Sequence, residues 1–197
     1  MLVSLVGCSG TAERRATPVT QGYPTGAACL AALDELGVRV RPWNAPDQGA
    51  CAVDTPVQPL GGTSRLLPPP PTSCSMLYAW MAALPQLDQL ARQQLGSPIR
   101  AVETLGSYSC RRMTGNSRRM SLHASARALD ISAFDLADGS RVVVEKEWRS
   151  RSPRGQFLRS AAKALCRPFS AVLTPNSDRF HANHIHVDIG RWKLCDV

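Results

Sequence analysis

Histidine is scarce in this chain: only four occur in 197 residues. Aromatic residues are also few, with four Trp, four Phe and three Tyr. They form no recognisable stacking module, which weighs against a protein that holds nucleic acid by stacking on bases. No stretch approaches the roughly 18 consecutive apolar residues that suggest a membrane span. No two cysteines stand as Cys-x-x-Cys, so a zinc ribbon or a thioredoxin-like redox motif is a poor fit. There is no internal repeat. What remains is a chain of 44% hydrophobic residues, enough for one ordinary domain and a small appendage.

The four histidines fall in two short motifs, each with an aspartate. The first runs Ser-Leu-His123-Ala-Ser-Ala-Arg-Ala-Leu-Asp130, and the second His181-Ala-Asn-His184-Ile-His186-Val-Asp188. Imidazole and carboxylate together are the ligand set of catalytic zinc, where three protein ligands leave one position open. The second motif alternates polar and apolar, the period of a strand with one face on a core. His184, His186 and Asp188 would then share a face, with Ile185, Val187 and Ile189 packed inward. Neighbours on that face lie roughly 6.5–7 Å apart, so one imidazole can bind a metal while the next reaches a water. Leu129-Asp130-Ile131 also alternates, which puts Asp130 on the polar face of another strand with His123 in the loop before it. The plainer alternative is two unrelated motifs making surface or capping hydrogen bonds.

The spacing His-x6-Asp followed by His-x-His resembles the zinc peptidases that cut bacterial peptidoglycan peptides. These include D-alanyl-D-alanine carboxypeptidases, D,D-dipeptidases and penicillin-insensitive murein endopeptidases. A closer resemblance is to the bacterial extensin-like C-terminal domain family, through Gly106-Ser107-Tyr108-Ser109-Cys110-Arg111, Ala128-Leu129-Asp130-Ile131 and His181-x-x-His184-x-His186. It extends from about Gly26 to the C-terminus. The resemblance implies that His123, Asp130 and His186 bind Zn2+, that His184 is the general base, and that His181 assists near the oxyanion or from behind the metal ligands. It also brings forward Ser107 and Tyr108 as substrate-binding candidates. The carboxypeptidase and dipeptidase branches carry a glutamate base where this chain has Asn183, which cannot accept a proton. His-x-x-His-x-His is instead similar to the murein endopeptidase branch. The residue before the first histidine, often Glu in the extensin-like family, is Leu122 here. In such a site zinc makes its water more acidic and polarises the scissile carbonyl. A histidine with an ordinary pKa near 6.5 can move the proton to the leaving amine. Asp188 is a candidate to orient an imidazole, or an ordinary strand-end carboxylate.

Six of the seven cysteines, Cys29, Cys51, Cys74, Cys110, Cys166 and Cys195, are scattered through the body of the chain. An even, scattered set suits three disulfides in an oxidising compartment. The expected pairing is Cys29–Cys51, Cys74–Cys110 and Cys166–Cys195. Leu5-Val6-Gly7-Cys8 resembles a bacterial lipoprotein lipobox, but only seven residues without Lys or Arg precede the cysteine. A truncated export signal is therefore expected, with membrane contact only through a lipid on Cys8. The protein would be periplasmic or exported, and a monomer. The net charge is +8. Arg111, Arg112, Arg118, Arg119 and Arg127 surround the first motif, and further arginines follow it. Because arginine forks bind carboxylates, Arg111 is a candidate for recognising peptidoglycan stems; a solvated basic face is the alternative.

Residues 1–25 read as signal remnant and tether. Residues 26–72 read as a small disulfide-stapled extension: a helix over Gly26–Leu36, then irregular chain ending in a Pro-rich connector. Residues 73–197 form the expected catalytic domain. Its helices are expected over Ser75–Leu95, where Pro85 is a candidate break or kink, and over Gln156–Cys166. Strands are expected at Ile99–Leu105, Ala128–Phe134, Arg141–Glu145, Ala171–Thr174 and His184–Ile189, with a loop over Thr114–Ser121. The fold class is α+β: a small antiparallel sheet carrying a zinc site, flanked by helices and stapled by disulfides. The expected function is zinc-dependent hydrolysis of peptidoglycan cross-bridges. A non-hydrolytic wall- or metal-binding module on the same scaffold is the alternative, and a basic nucleic-acid binder is disfavoured.

Overall fold

A computed structural model describes residues 22–197. The lipobox-like segment and most of the tether lie outside these residues. In chain order the elements are α1 (Gly26–Glu35), β1 (Val40–Pro42), β2 (Pro56–Pro59), β3 (Leu66–Leu67), β4 (Thr72–Ser73) and α2 (Cys74–Leu95). There follow β5 (Ile99–Gly106), β6 (Arg112–Met113), β7 (Asn116–Met120), β8 (Ala128–Leu136), β9 (Arg141–Val143), α3 (Val144–Glu147) and α4 (Pro153–Leu165). The chain ends with β10 (Ala171–Leu173), β11 (Ile185–Asp188) and β12 (Leu194–Asp196). No helix among the described residues is long and apolar enough to cross a membrane.

The main sheet runs β12-β10-β11-β8-β5-β3, with β9 also paired to β8. Its middle, from β10 to β5, is antiparallel, as expected; the outermost strands β12 and β3 join in parallel. Along β8 one edge is covered by β5, while the other is shared between β11 and β9. Strand alternation alone would put Phe134 and Leu136 on the same face as Asp130. It does not, because Thr104 pairs with Ile131 while Glu103 pairs with Ala133, leaving one extra residue in β8. This bulge at Ser132 shifts the phase of the pleat. Leu129 and Ile131 before it, and Phe134 and Leu136 after it, all join the core, while Asp130 keeps the opposite face.

Two helices supply the other half of the core. Helix α2 is capped by Ser73, whose Oγ accepts from the Met76 N–H, and it ends at Gly96 in the left-handed conformation with φ 73°. It continues through Pro85. That residue is exposed, on the outer side of the helix, while Trp80, Leu84 and Leu87 hold the inner side. Helix α4 starts with a Ser152 cap and proline in its first turn. It brings Phe157 edge-on to Phe134 with ring centroids 5.2 Å apart.

The N-terminal part is more ordered than its composition suggests. Residues 40–73 contain a three-stranded sheet, β1-β2-β4, and contribute β3 to the main sheet. Leu66 and Val57 lie in the same core cluster as α2, and the Trp80 indole donates to the Ser64 carbonyl at 2.9 Å. The division expected after residue 72 falls inside β4, so residues 26–72 and the remainder share one core. Similarly, the expected loop over 114–121 is largely the second strand of a β6–β7 hairpin. The expected strand Arg141–Glu145 stops at Val143, where α3 begins.

Three disulfides are present, but two pairings differ from expectation. They are Cys29–Cys74, Cys51–Cys110 and Cys166–Cys195. Helix α1 packs beside α2 and brings Cys29 to that helix's first residue, whereas Cys51 meets the segment after β5. Only Cys166–Cys195 agrees with pairing by nearness in sequence. Non-reducing proteolysis with mass spectrometry is expected to recover these three linked peptides; a Cys29–Cys51 peptide as the main species would contradict this packing.

Candidate metal centre

The pairing of β8 with β11 places Asp130 directly opposite His186, with Ile131 opposite Ile185 and Leu129 opposite Val187. The isoleucines, Leu129 and Val187 enter the core, so Asp130 and His186 must project together from the other face. His123 arrives from a short 3-10 turn over Leu122–Ser125, capped by Ser121. That turn leaves through Ala126 in the left-handed region, φ 52°. The Ala126 carbonyl accepts from both the N–H and the Oγ of Ser73, at 3.1 and 2.9 Å, which fixes the turn against β4.

Three donor atoms converge. His123 Nε2 and His186 Nδ1 lie 3.2 and 2.8 Å from Asp130 Oδ1, and 3.2 Å from each other. A tetrahedral zinc ion with bonds of about 2.0–2.1 Å has ligand atoms about 3.3 Å apart. The triangle thus needs to open by at most about half an ångström to seat such an ion, and His123, Asp130 and His186 are the described residues grouped closely enough to hold one.

Each imidazole is fixed through its second nitrogen. His123 Nδ1–H donates to the Ser107 carbonyl at 3.0 Å. His186 Nε2–H faces Asp188 Oδ2 at 3.4 Å. Asp188 is itself held by the Gly190 N–H at 2.8 Å. A Cβ at residue 190 would stand 2.6 Å from Leu122 Cδ1 and 3.0 Å from Asp188 Oδ1, so a larger residue there would push on both side chains. The partners leave one nitrogen of each ring free to face the triangle, the arrangement that orients metal-binding histidines.

His184 enters just before β11, with Nε2 3.5 Å from Asp130 Oδ1. Its Nδ1–H donates to Asn183 Oδ1 at 2.8 Å. His181 ends a 3-10 turn capped by Asp178, whose Oδ1 also lies 2.9 Å from His181 Nδ1. The His181 ring centroid is 5.2 Å from that of His184 and 5.7 Å from that of His186. All four histidines therefore meet at one place. Asp178 was not singled out in the sequence, although an Asp three residues before a histidine is a recognisable capping spacing; Asn183 stood out there as a residue unable to accept a proton, not as an orienting partner.

The electrostatics separate the roles. Burial pushes the Asp130 carboxyl up, but hydrogen bonds from His123 and His186 outweigh it and hold the group well below the usual carboxylate range. Burial also opposes charge on His186, yet its bonds to Asp130 and Asp188 raise the pKa to about 9. Burial dominates at His184, aided by neighbouring imidazoles, and lowers its pKa to about 4. At neutral pH His184 is uncharged with a free lone pair at Nε2.

The three substrate-contact candidates separate. Ser107 is 1% exposed, and its hydroxyl is taken by the Ala128 carbonyl and Thr72 Oγ1 at 2.6 and 2.7 Å. Its place is to hold His123, with no exposed atom for a substrate. Tyr108 is half-buried and packs on Trp43 with ring centroids 4.9 Å apart. Arg111 is exposed and donates to Thr114 Oγ1 at 3.1 Å.

Compared with known proteins, the chain matches the family described as Extensin-like protein C-terminus over residues 27–196. No curated protein and no solved structure matches it.

Two outcomes are expected. If the three donors take zinc, Asp188→Ala should weaken it about 10–100-fold in a chelator competition. In metal-free protein, His186 gives stability that is whole below about pH 6.5 and lost as pH rises to about 9. The contribution of His184 is whole above about pH 6.5 and lost as pH falls toward about 4. The melting temperature of chelated protein should therefore peak near pH 6.5, and His186→Ala should flatten the alkaline limb in calorimetry.

Proposed function

The chain belongs to the extensin-like protein C-terminus family, and we propose that it is a zinc metallopeptidase acting on bacterial peptidoglycan, as an endopeptidase on peptide cross-bridges. In this view it works as the zinc D-alanyl-D-alanine carboxypeptidases and penicillin-insensitive murein endopeptidases do. One observation carries it: two imidazole nitrogens and a carboxylate oxygen converge within 3.2 Å, with a neutral imidazole 3.5 Å from the same oxygen. Zinc bound by His123, Asp130 and His186 would supply a Lewis acid for the scissile carbonyl and a water of near-neutral pKa.

The remaining chemistry belongs to the chain's own residues. His184 accepts a proton at Nε2 and passes it to the leaving amine, while Asn183 keeps Nδ1 protonated. An asparagine where related enzymes carry a glutamate base thus becomes the group that orients a histidine base. His181, held by Asp178, donates toward the developing oxyanion. Tyr108 and Arg111 contact the peptide. Three disulfides support an oxidising compartment, so we assign the protein to the periplasm or exterior. A lipid on Cys8 would be its membrane contact, nucleic acid is no partner, and the active unit is a monomer.

Metal analysis of the purified protein should find about one zinc per chain, and muropeptide digests should give new fragments that vanish on chelation and return with zinc. Asp130→Ala and His186→Ala should lose metal and activity together. His184→Ala should keep its zinc and lose roughly 100- to 10,000-fold in turnover. Zinc bound without fragment release would instead favour a binding module, and no zinc uptake by the wild type would refute the proposal.

A further inference from the structure

One stretch of the chain gathers positive charge and leaves it unbalanced. Between Glu103 and Asp130 there is no acidic residue, yet five arginines occur. Arg127 is tied to the Ile189 carbonyl. The other four, Arg111, Arg112, Arg118 and Arg119, lie on or beside the β6–β7 hairpin and are all exposed. Elsewhere arginines meet carboxylates, as in Arg65–Asp88, Arg141–Glu103 and Arg154–Glu147. Among the described residues, Arg111 is the hairpin arginine whose side chain has a hydrogen bond, to Thr114 Oγ1 and the Arg112 carbonyl. Among the described residues none of the four meets a carboxylate.

The hairpin is a separate two-stranded sheet, a structure that is marginal alone in water. Here both legs are fixed beside the metal centre. Cys110 is bridged to Cys51, and the Ser121 N–H donates to the Arg111 carbonyl at 3.1 Å. Ser121 then caps the turn that carries His123. Clustered like charges repel one another unless a counter-anion sits among them. Guanidinium forks match carboxylates in geometry as well as charge. A membrane surface fits less well, because the hairpin has no aromatic residue and Met113 is its one exposed large hydrophobic side chain.

We propose that the β6–β7 hairpin is a docking arm for a polymer of closely spaced free carboxylates, such as peptidoglycan stem peptides, and holds it alongside the metal centre. The identity of the polymer rests on the function proposed above, but binding can be read without hydrolysis. The test uses the full chain carrying His184→Ala, sedimented with purified sacculi before and after chemical amidation of their carboxyl groups. Adding Arg111→Gln, Arg112→Gln, Arg118→Gln and Arg119→Gln should weaken binding to native sacculi roughly ten-fold at low salt, with an unchanged melting temperature. The difference should shrink at high salt and disappear on amidated sacculi. Should the quadruple variant melt early, Arg118→Gln with Arg119→Gln should still lose about three-fold.

Equal binding of parent and variant to native sacculi would overturn the arm, as would undiminished binding of the parent to amidated sacculi. Tighter arginine-dependent binding to phosphatidylglycerol vesicles would also overturn it and assign the arm to membranes. Arm-dependent binding, together with a wild-type protein that releases no fragments, would support the arm while removing the peptidase. Fragment release with arm-independent binding would do the reverse.

Discussion

Residues facing each other across two antiparallel strands share a side of the sheet, and the register of β8 against β11 makes that rule decisive. Ile131 against Ile185 and Leu129 against Val187 bury one face, so Asp130 and His186 are forced together on the other. A slip of one residue would drive both polar groups into the helices and expose the core aliphatics. Packing of the core therefore enforces the geometry of the site. The bulge at Ser132 completes the arrangement, because it lets the far half of β8 turn Phe134 inward without moving Asp130.

The polar side is as strongly determined. Three imidazoles approach a single oxygen of Asp130, a group too buried to stay ionised without partners. Each ring is also restrained at its other nitrogen, by the Ser107 carbonyl, the Asp188 carboxylate and the Asn183 amide. These restraints come from β5's exit, β11 and the turn before β11. The rings thus hold their directions through elements anchored in the core, rather than through contact with one another alone. Left-handed backbone at a non-glycine residue occurs beside the site at Ala126, where Ser73 holds it, as well as at Thr55 and Arg65.

Much of this was legible in the sequence because the chemistry there is sparse and periodic. Four histidines in two motifs, with apolar residues alternating around Asp130 and His186, define both the residues that meet and the strand faces they use. Long-range topology was less legible. Cys29 meets Cys74 because two helices pack side by side, and no spacing in the sequence carries that information. The N-terminal third looked irregular because its strands are two to four residues long, too short for a periodic signal. Ser107 looked like a binding residue because it sits in a polar, Gly-containing motif. Its role resides mainly in its backbone carbonyl, which side-chain identity does not reveal. Pro85 suggested a break because propensity is local, whereas the inner face of α2 is held by distant partners.

The two ends of the main sheet have a bearing on how copies of the protein behave toward each other. Its outermost strands, β3 and β12, contain only two and three residues, and β12 is tied back to the end of α4 by Cys166–Cys195. A long open edge offers unpaired amides and carbonyls on which a foreign strand can grow the sheet. Short terminal strands, one of them covalently fastened, offer almost no such template. In a crowded compartment, among chains that have their own exposed strands, these two terminal strands give a newcomer little to pair with.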